Sequence, residues 1–144
     1  MKKISVVVLM LLVLALSACQ GGGNNSVVVK DAWARSAIQG NPTAIYFLIE
    51  NPTAEDDVLL SASTDVSMMT ELHMSSMDAA GVMTMTPQEN VPVPANSTVE
   101  FKKGGLHVML MNIKQDLKPG DTVKLTLNFE KAGEMKLDVP VQEP

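Results

Sequence analysis

The segment Gly105-Leu-His-Val-Met-Leu-Met111 sets an imidazole and two thioethers at every second position. Side chains alternate between the faces of a strand, so His107, Met109 and Met111 would point one way and Leu106, Val108 and Leu110 the other. The branched aliphatic face is the natural core face, which leaves the His/Met face for chemistry. Two nearby segments repeat the theme: Val82-Met-Thr-Met-Thr86 puts Met83 and Met85 on one face, and Glu71-Leu-His-Met74 adds His73. Three neighbouring strands would gather imidazoles and thioethers in one place. Thioether sulfur is a soft, neutral ligand that suits Cu(I) and suits Zn(II), Mg(II) or Ca(II) poorly. Two imidazoles and two thioethers leave the charge of the ion uncompensated, as befits a carrier that must later release it. The imidazoles must be neutral to bind, so affinity is expected to fall as pH drops through the ordinary histidine range, about 6.5.

Composition narrows the options. The 144 residues include 11 Met, but only 2 His, 1 Cys, 1 Trp, 1 Tyr and 3 Phe. Nine Met lie beyond residue 18, and eight of these fall with both His between positions 68 and 111. Gap-filling core Met would be scattered instead. A single Cys excludes an internal disulfide, a CxxC redox pair and a Cys-based zinc site. A blue-copper centre needs a thiolate beside its two imidazoles, and the domain has none to give. The net charge of −5 argues against nucleic acid as a partner. No GxSxG, P-loop or HExxH pattern is present and nothing marks a nucleophilic triad, so an enzyme is not expected. A hydrophobic content of 46% argues against a disordered chain, and the length allows one domain.

Short apolar or alternating runs would position these residues. They are Val27–Arg35, Ala44–Glu50, Asp57–Ser63, Met69–Met74, Val82–Thr86, Thr98–Phe101, Leu106–Ile113, Thr122–Phe129 and Met135–Val139. Gly-Asn-Pro, Asn-Pro, Ala-Gly, Gly-Gly and Lys-Pro-Gly-Asp punctuate them. Many short strands at this spacing predict an all-β antiparallel sandwich or barrel. Val66, Met69, Leu72 and His73 also fit a helical stripe; the surrounding β pattern favours a strand there. Pro87 to Pro94 holds three Pro and is expected to be an irregular connection or an edge.

The chain begins with an address. Lys2 and Lys3 precede an apolar run from Ile4 to Leu16, too short for a membrane-spanning helix and suited to a secretory signal. Leu16-Ser-Ala-Cys19 resembles the bacterial lipobox, in which the Cys receives lipid and becomes the mature N-terminus. Residues 1–18 are thus expected to be a lipoprotein signal peptide, and 19–26 a lipidated Cys19 with a Gly/Asn/Ser-rich tether. Removing the signal leaves 9 basic and 16 acidic residues, a formal charge of −7. The protein is then extracytoplasmic and lipid-anchored to a bacterial membrane, on its periplasmic or outer-surface side.

Over residues 27–141 the chain resembles the PCu(A)C periplasmic copper chaperones, a family described by the pattern H(M)x10Mx21HxM. His73-Met74 is followed by ten residues and Met85, then by twenty-one residues and His107-Val-Met109. Asp31-Ala-Trp-Ala-Arg35, Tyr46-Phe-Leu-Ile-Glu-Asn51, Gly81-Val-Met-Thr-Met85 and Phe129-Glu-Lys-Ala-Gly133 also look like family segments. The resemblance implies a single cupredoxin-like Greek-key β-barrel or sandwich. It implies Cu(I) held by His73, Met85, His107 and Met109. It further implies delivery towards the dinuclear copper centre of cytochrome c oxidase, with oxidase subunit II, Sco-type or thioredoxin-like assembly factors as partners. Some members add a His/Met-rich tail; here Val141-Gln-Glu-Pro144 does not provide one, and residues 142–144 are simply the C-terminal end. Met74 is expected in the core, and Met83 and Met111 as an apolar rim or auxiliary transfer ligands. The alternative function is a periplasmic store that sequesters copper for resistance.

Overall fold

The computed structural model describes residues 26–143. The expected signal segment, Cys19 and the tether up to residue 25 lie outside the described residues. Among the described residues there is no helix. Ten strands follow one another: β1 (Val28–Arg35), β2 (Thr43–Asn51), β3 (Asp57–Thr64), β4 (Ser67–Met77), β5 (Met83–Gln88), β6 (Val91–Val93), β7 (Ser97–Phe101), β8 (Leu106–Ile113), β9 (Thr122–Phe129) and β10 (Glu134–Gln142). Every expected strand is present. Two have the expected bounds, and the others differ by one to three residues at an end. The stretch that also fitted a helix is strand β4. The Pro-rich stretch contains β6, an edge strand paired, among the described residues, only with β3, and its Pro92 is exposed while Val91 and Val93 are buried.

The ladder runs β5-β4-β8-β7-β2-β1-β10-β9-β3-β6, with a further pairing of β8 to β2. Two halves join where β1 runs parallel to the end of β10, Ala34 opposite Val141. One core lies between them. Val123, Leu125, Leu127 and Phe129 of β9 are all buried, as their alternation predicts. They share a cluster with Ile45, Phe47 and Ile49 of β2 and Val108 and Leu110 of β8. Phe47 stacks on Phe101 at 4.4 Å. Burying each such side chain is worth about 1.5–3 kcal/mol. This is what orients β8: sinking Val108 and Leu110 forces His107 and Met109 to the opposite face. Asn112 then takes a left-handed backbone, φ 51°, and the alternation slips so that Ile113 is buried too.

Asp57 ties β3 to the turn between β9 and β10. Its carboxylate accepts backbone N–H bonds from Val58 at 2.7 Å and from Lys131 and Ala132 at 2.9 Å. Burial pushes its pKa up, but these bonds and the Lys131 charge outweigh burial and hold it below the usual carboxylate range.

Candidate metal centre

Cross-strand register assembles the site. β4 pairs antiparallel with β8 so that His73 lies opposite His107, Glu71 opposite Met109 and Met69 opposite Met111. β5 pairs with β4 so that Met85 lies opposite Ser75 and Met83 opposite Met77. Ala44 of β2 lies beside Met109 on the other flank. Directly opposed residues share a face. His73, His107 and Met109 therefore stand together on one side of the sheet, with Met85 on the neighbouring edge strand. Leu72 and Val108, opposite each other, go to the core.

The two imidazole rings meet edge to face, 5.8 Å between centroids. Both are buried, His73 at 9% and His107 at 3% exposure, whereas Met85 is 53% exposed. The site thus has a sheltered imidazole floor and one solvent-facing thioether. Met109 is half-buried.

Hydrogen bonds define which nitrogens are available. His107 Nδ1 donates to the Gly105 carbonyl at 3.0 Å, which in the neutral ring leaves Nε2 with its lone pair. His73 Nε2 lies 2.8 Å from a Glu71 carboxylate oxygen, which assigns the proton to Nε2 and leaves Nδ1 bare. That Nδ1 is buried with no hydrogen-bond partner among the described residues. Leaving such an atom unsatisfied costs about 1–3 kcal/mol, so a ligand that accepts its lone pair recovers that cost. A carboxylate holding the far side of a ligating imidazole is the usual outer support of a metal site.

An open concavity of about 450 Å³ exposes Met83, Met85, His107 and Met109, with Ser75 and Tyr46 in its wall. His73 packs edge to face against His107 and is not part of its wall. Larger concavities of about 630 and 590 Å³ occur elsewhere, but neither contains an imidazole. Tyr46 flanks His107 at 6.4 Å and packs on Trp33 at 4.8 Å, with Lys103 over the Trp33 ring. Burial raises the Tyr46 pKa, partly offset by the Arg35 charge, so its hydroxyl stays neutral. Among the described residues no three His, Cys, Asp or Glu side chains converge to hold a metal ion. The sulfur atoms that share the concavity with His107 are thioethers, a donor type that suits soft ions better than hard ones.

Sequence reasoning assigns no role to Glu71, Tyr46 or Ser75. Glu71 is readable in principle, since a carboxylate two residues from a strand histidine shares its face. Tyr46 is not, because it arrives from β2, far away in the chain. Met74 is half-buried beside Leu106 on the opposite side, and Met111 is half-buried beside Met69.

Solved PCuAC domains superpose on this all-β, cupredoxin-like sandwich. The copper-bound PCuAC domain from PmoF2 is 27% identical, with a TM-score of 0.69 over 83% of this chain and 94% of that one. The solution structure of CuI-DR1885 from Deinococcus radiodurans is 29% identical, with a TM-score of 0.61 over 88% of this chain and 86% of that one. The chain belongs to the LpqE-like family, described as "Putative lipoprotein LpqE-like", which matches residues 27–141. A relative described as "Putative lipoprotein Lxx21020", from Leifsonia xyli subsp. xyli, is 26% identical over 83% of this chain and 71% of its own length. "Uncharacterized protein RP573" from Rickettsia prowazekii is 29% identical over 76% of this chain and 62% of its own length.

Proposed function

We propose that this chain is an extracytoplasmic copper chaperone that holds one Cu(I) through His73, Met85, His107 and Met109. It passes the ion towards the dinuclear copper centre of cytochrome c oxidase, directly to subunit II or through a Sco-type or thioredoxin-like assembly factor. Lipid on Cys19 tethers it to the membrane. It is a carrier, not an enzyme.

The observation that carries this reading is the buried, partnerless Nδ1 of His73, 5.8 Å ring to ring from His107. Two bare imidazole nitrogens beside neutral thioethers form a centre that neither repels nor neutralises a monovalent soft cation. The copper held by the PmoF2 and DR1885 structures supports the same choice of ion.

The test is an anaerobic titration of Cu(I) against a chromogenic chelator. Wild type should withdraw one equivalent. His107→Ala with Met109→Ala should weaken binding by more than about a hundredfold, because two direct ligands are lost rather than one outer partner. Unchanged affinity rejects the site. X-ray absorption should show mixed nitrogen and sulfur scattering. The exposed thioethers Met77 and Met83 favour a second reading, a periplasmic copper store. Loss of oxidase activity at low copper on deletion supports delivery, and copper sensitivity supports storage.

A further inference from the structure

We propose that Met77 and Met83, together with Met85, form a second and weaker Cu(I) site, an all-thioether transfer station at the β4–β5 hairpin. The inference rests on the copper-carrying reading and adds to it the route by which the ion enters or leaves.

Met77 lies directly opposite Met83, and Met85 follows on the same face of β5, opposite Ser75. Directly opposed side chains have Cβ atoms about 5 Å apart, and alternate residues on a strand lie about 7 Å apart. Flexible thioethers at those spacings can converge on a single ion. All three are open to solvent, Met77 at 64%, Met83 at 48% and Met85 at 53% exposure. Exposing three large apolar side chains side by side gains nothing for folding, and the strand alternation would allow polar residues in their place.

The hairpin that presents them is braced. Asp78 accepts backbone N–H bonds from Ala80 and Val82, both at 2.9 Å, through its side chain. Its own N–H donates to the Val82 carbonyl at 3.0 Å, and Gly81 supplies the left-handed residue of the turn at φ 82°. Register at the tip is therefore fixed, and Met77 stays opposite Met83. Met85 belongs to both sites. An ion held by Met77, Met83 and Met85 reaches the imidazole pair by exchanging Met77 and Met83 for His73, His107 and Met109 while Met85 stays bound. Copper remains Cu(I) throughout. A thioether has no proton to lose, so no proton or electron moves in the exchange.

Two measurements test this. In a His73→Ala, His107→Ala variant labelled with 13C at the Met methyls, anaerobic Cu(I) should shift the methyl signals of Met77, Met83 and Met85, with saturation near one equivalent. No movement of Met77 and Met83 at two equivalents overturns the station. In a Met77→Leu, Met83→Leu variant with the centre intact, the equilibrium result against the chelator should stay within about threefold of wild type, while copper leaves for the chelator at least fivefold more slowly. An unchanged release rate overturns the transfer role. If wild type itself fails to withdraw copper at equilibrium, the carrier reading falls, and the methyl spectra of the double-His variant still report on the hairpin.

Discussion

A carboxylate and a carbonyl decide the tautomers of the two histidines. Glu71 holds His73 by Nε2 and Gly105 holds His107 by Nδ1, so the ring nitrogens left with a bare lone pair differ between the two residues. Removing Glu71 frees His73 to rotate or to change tautomer. Glu71→Ala should therefore lower Cu(I) affinity about tenfold to hundredfold, with little effect on the thermal midpoint of the ion-free protein, since the carboxylate is more than a third exposed. The chelator competition measures the first effect and calorimetry the second. That these imidazoles and thioethers would share one face was legible in the sequence, because alternate positions of β4, β5 and β8 carry them. The nitrogen assignment was not, because it depends on a hydrogen bond that exists only once β4 is extended and its rotamers are set.

Strand β8 shows how one element serves both core and site. Leu110 is fully buried and the adjacent Met109 faces the site. Leu110→Ala should cost about 2–5 kcal/mol of stability by denaturant unfolding. Met109→Leu should cost less than about 1.5 kcal/mol while weakening copper binding, because volume is kept and the sulfur is lost. Swapping the sizes of the two effects would mean that β8 is turned the other way. The alternation of β8 and β9 was plain in the sequence, and those are the strands whose bounds agreed. β6 escaped because three residues around Pro92 carry too little periodicity to read. β5 was only partly legible for the opposite reason: nearly every residue in it is exposed, so no buried face marks its ends.

At the scale of the whole molecule, the all-β class could be read from turn spacing, but the ladder order could not. The parallel contact of β1 with β10 and the sharing of β2 between β7 and β8 are set by long-range packing, which local pattern does not encode. Asp57 is one of the ties between distant parts, and its lowered pKa gives stability a pH dependence. Its contribution is fully present above the unfolded value of about 3.9 and is lost as pH falls through the lower folded value. Asp57→Asn should destabilise the chain by about 2–3 kcal/mol at neutral pH and flatten its loss of stability below about pH 4, as read by urea unfolding across pH. The lone pair of His73 Nδ1 is sealed from water and meets no donor among the described residues, so with an ion bound there as proposed, the ion-free chain would be the less stable of two forms. Linkage widens the gap by about 1.4 kcal/mol for each tenfold excess of free ion over the dissociation constant. Proteolysis follows the population of opened molecules. The lifetime of the chain would then track the metal supply, and a starved cell would clear its empty carriers first.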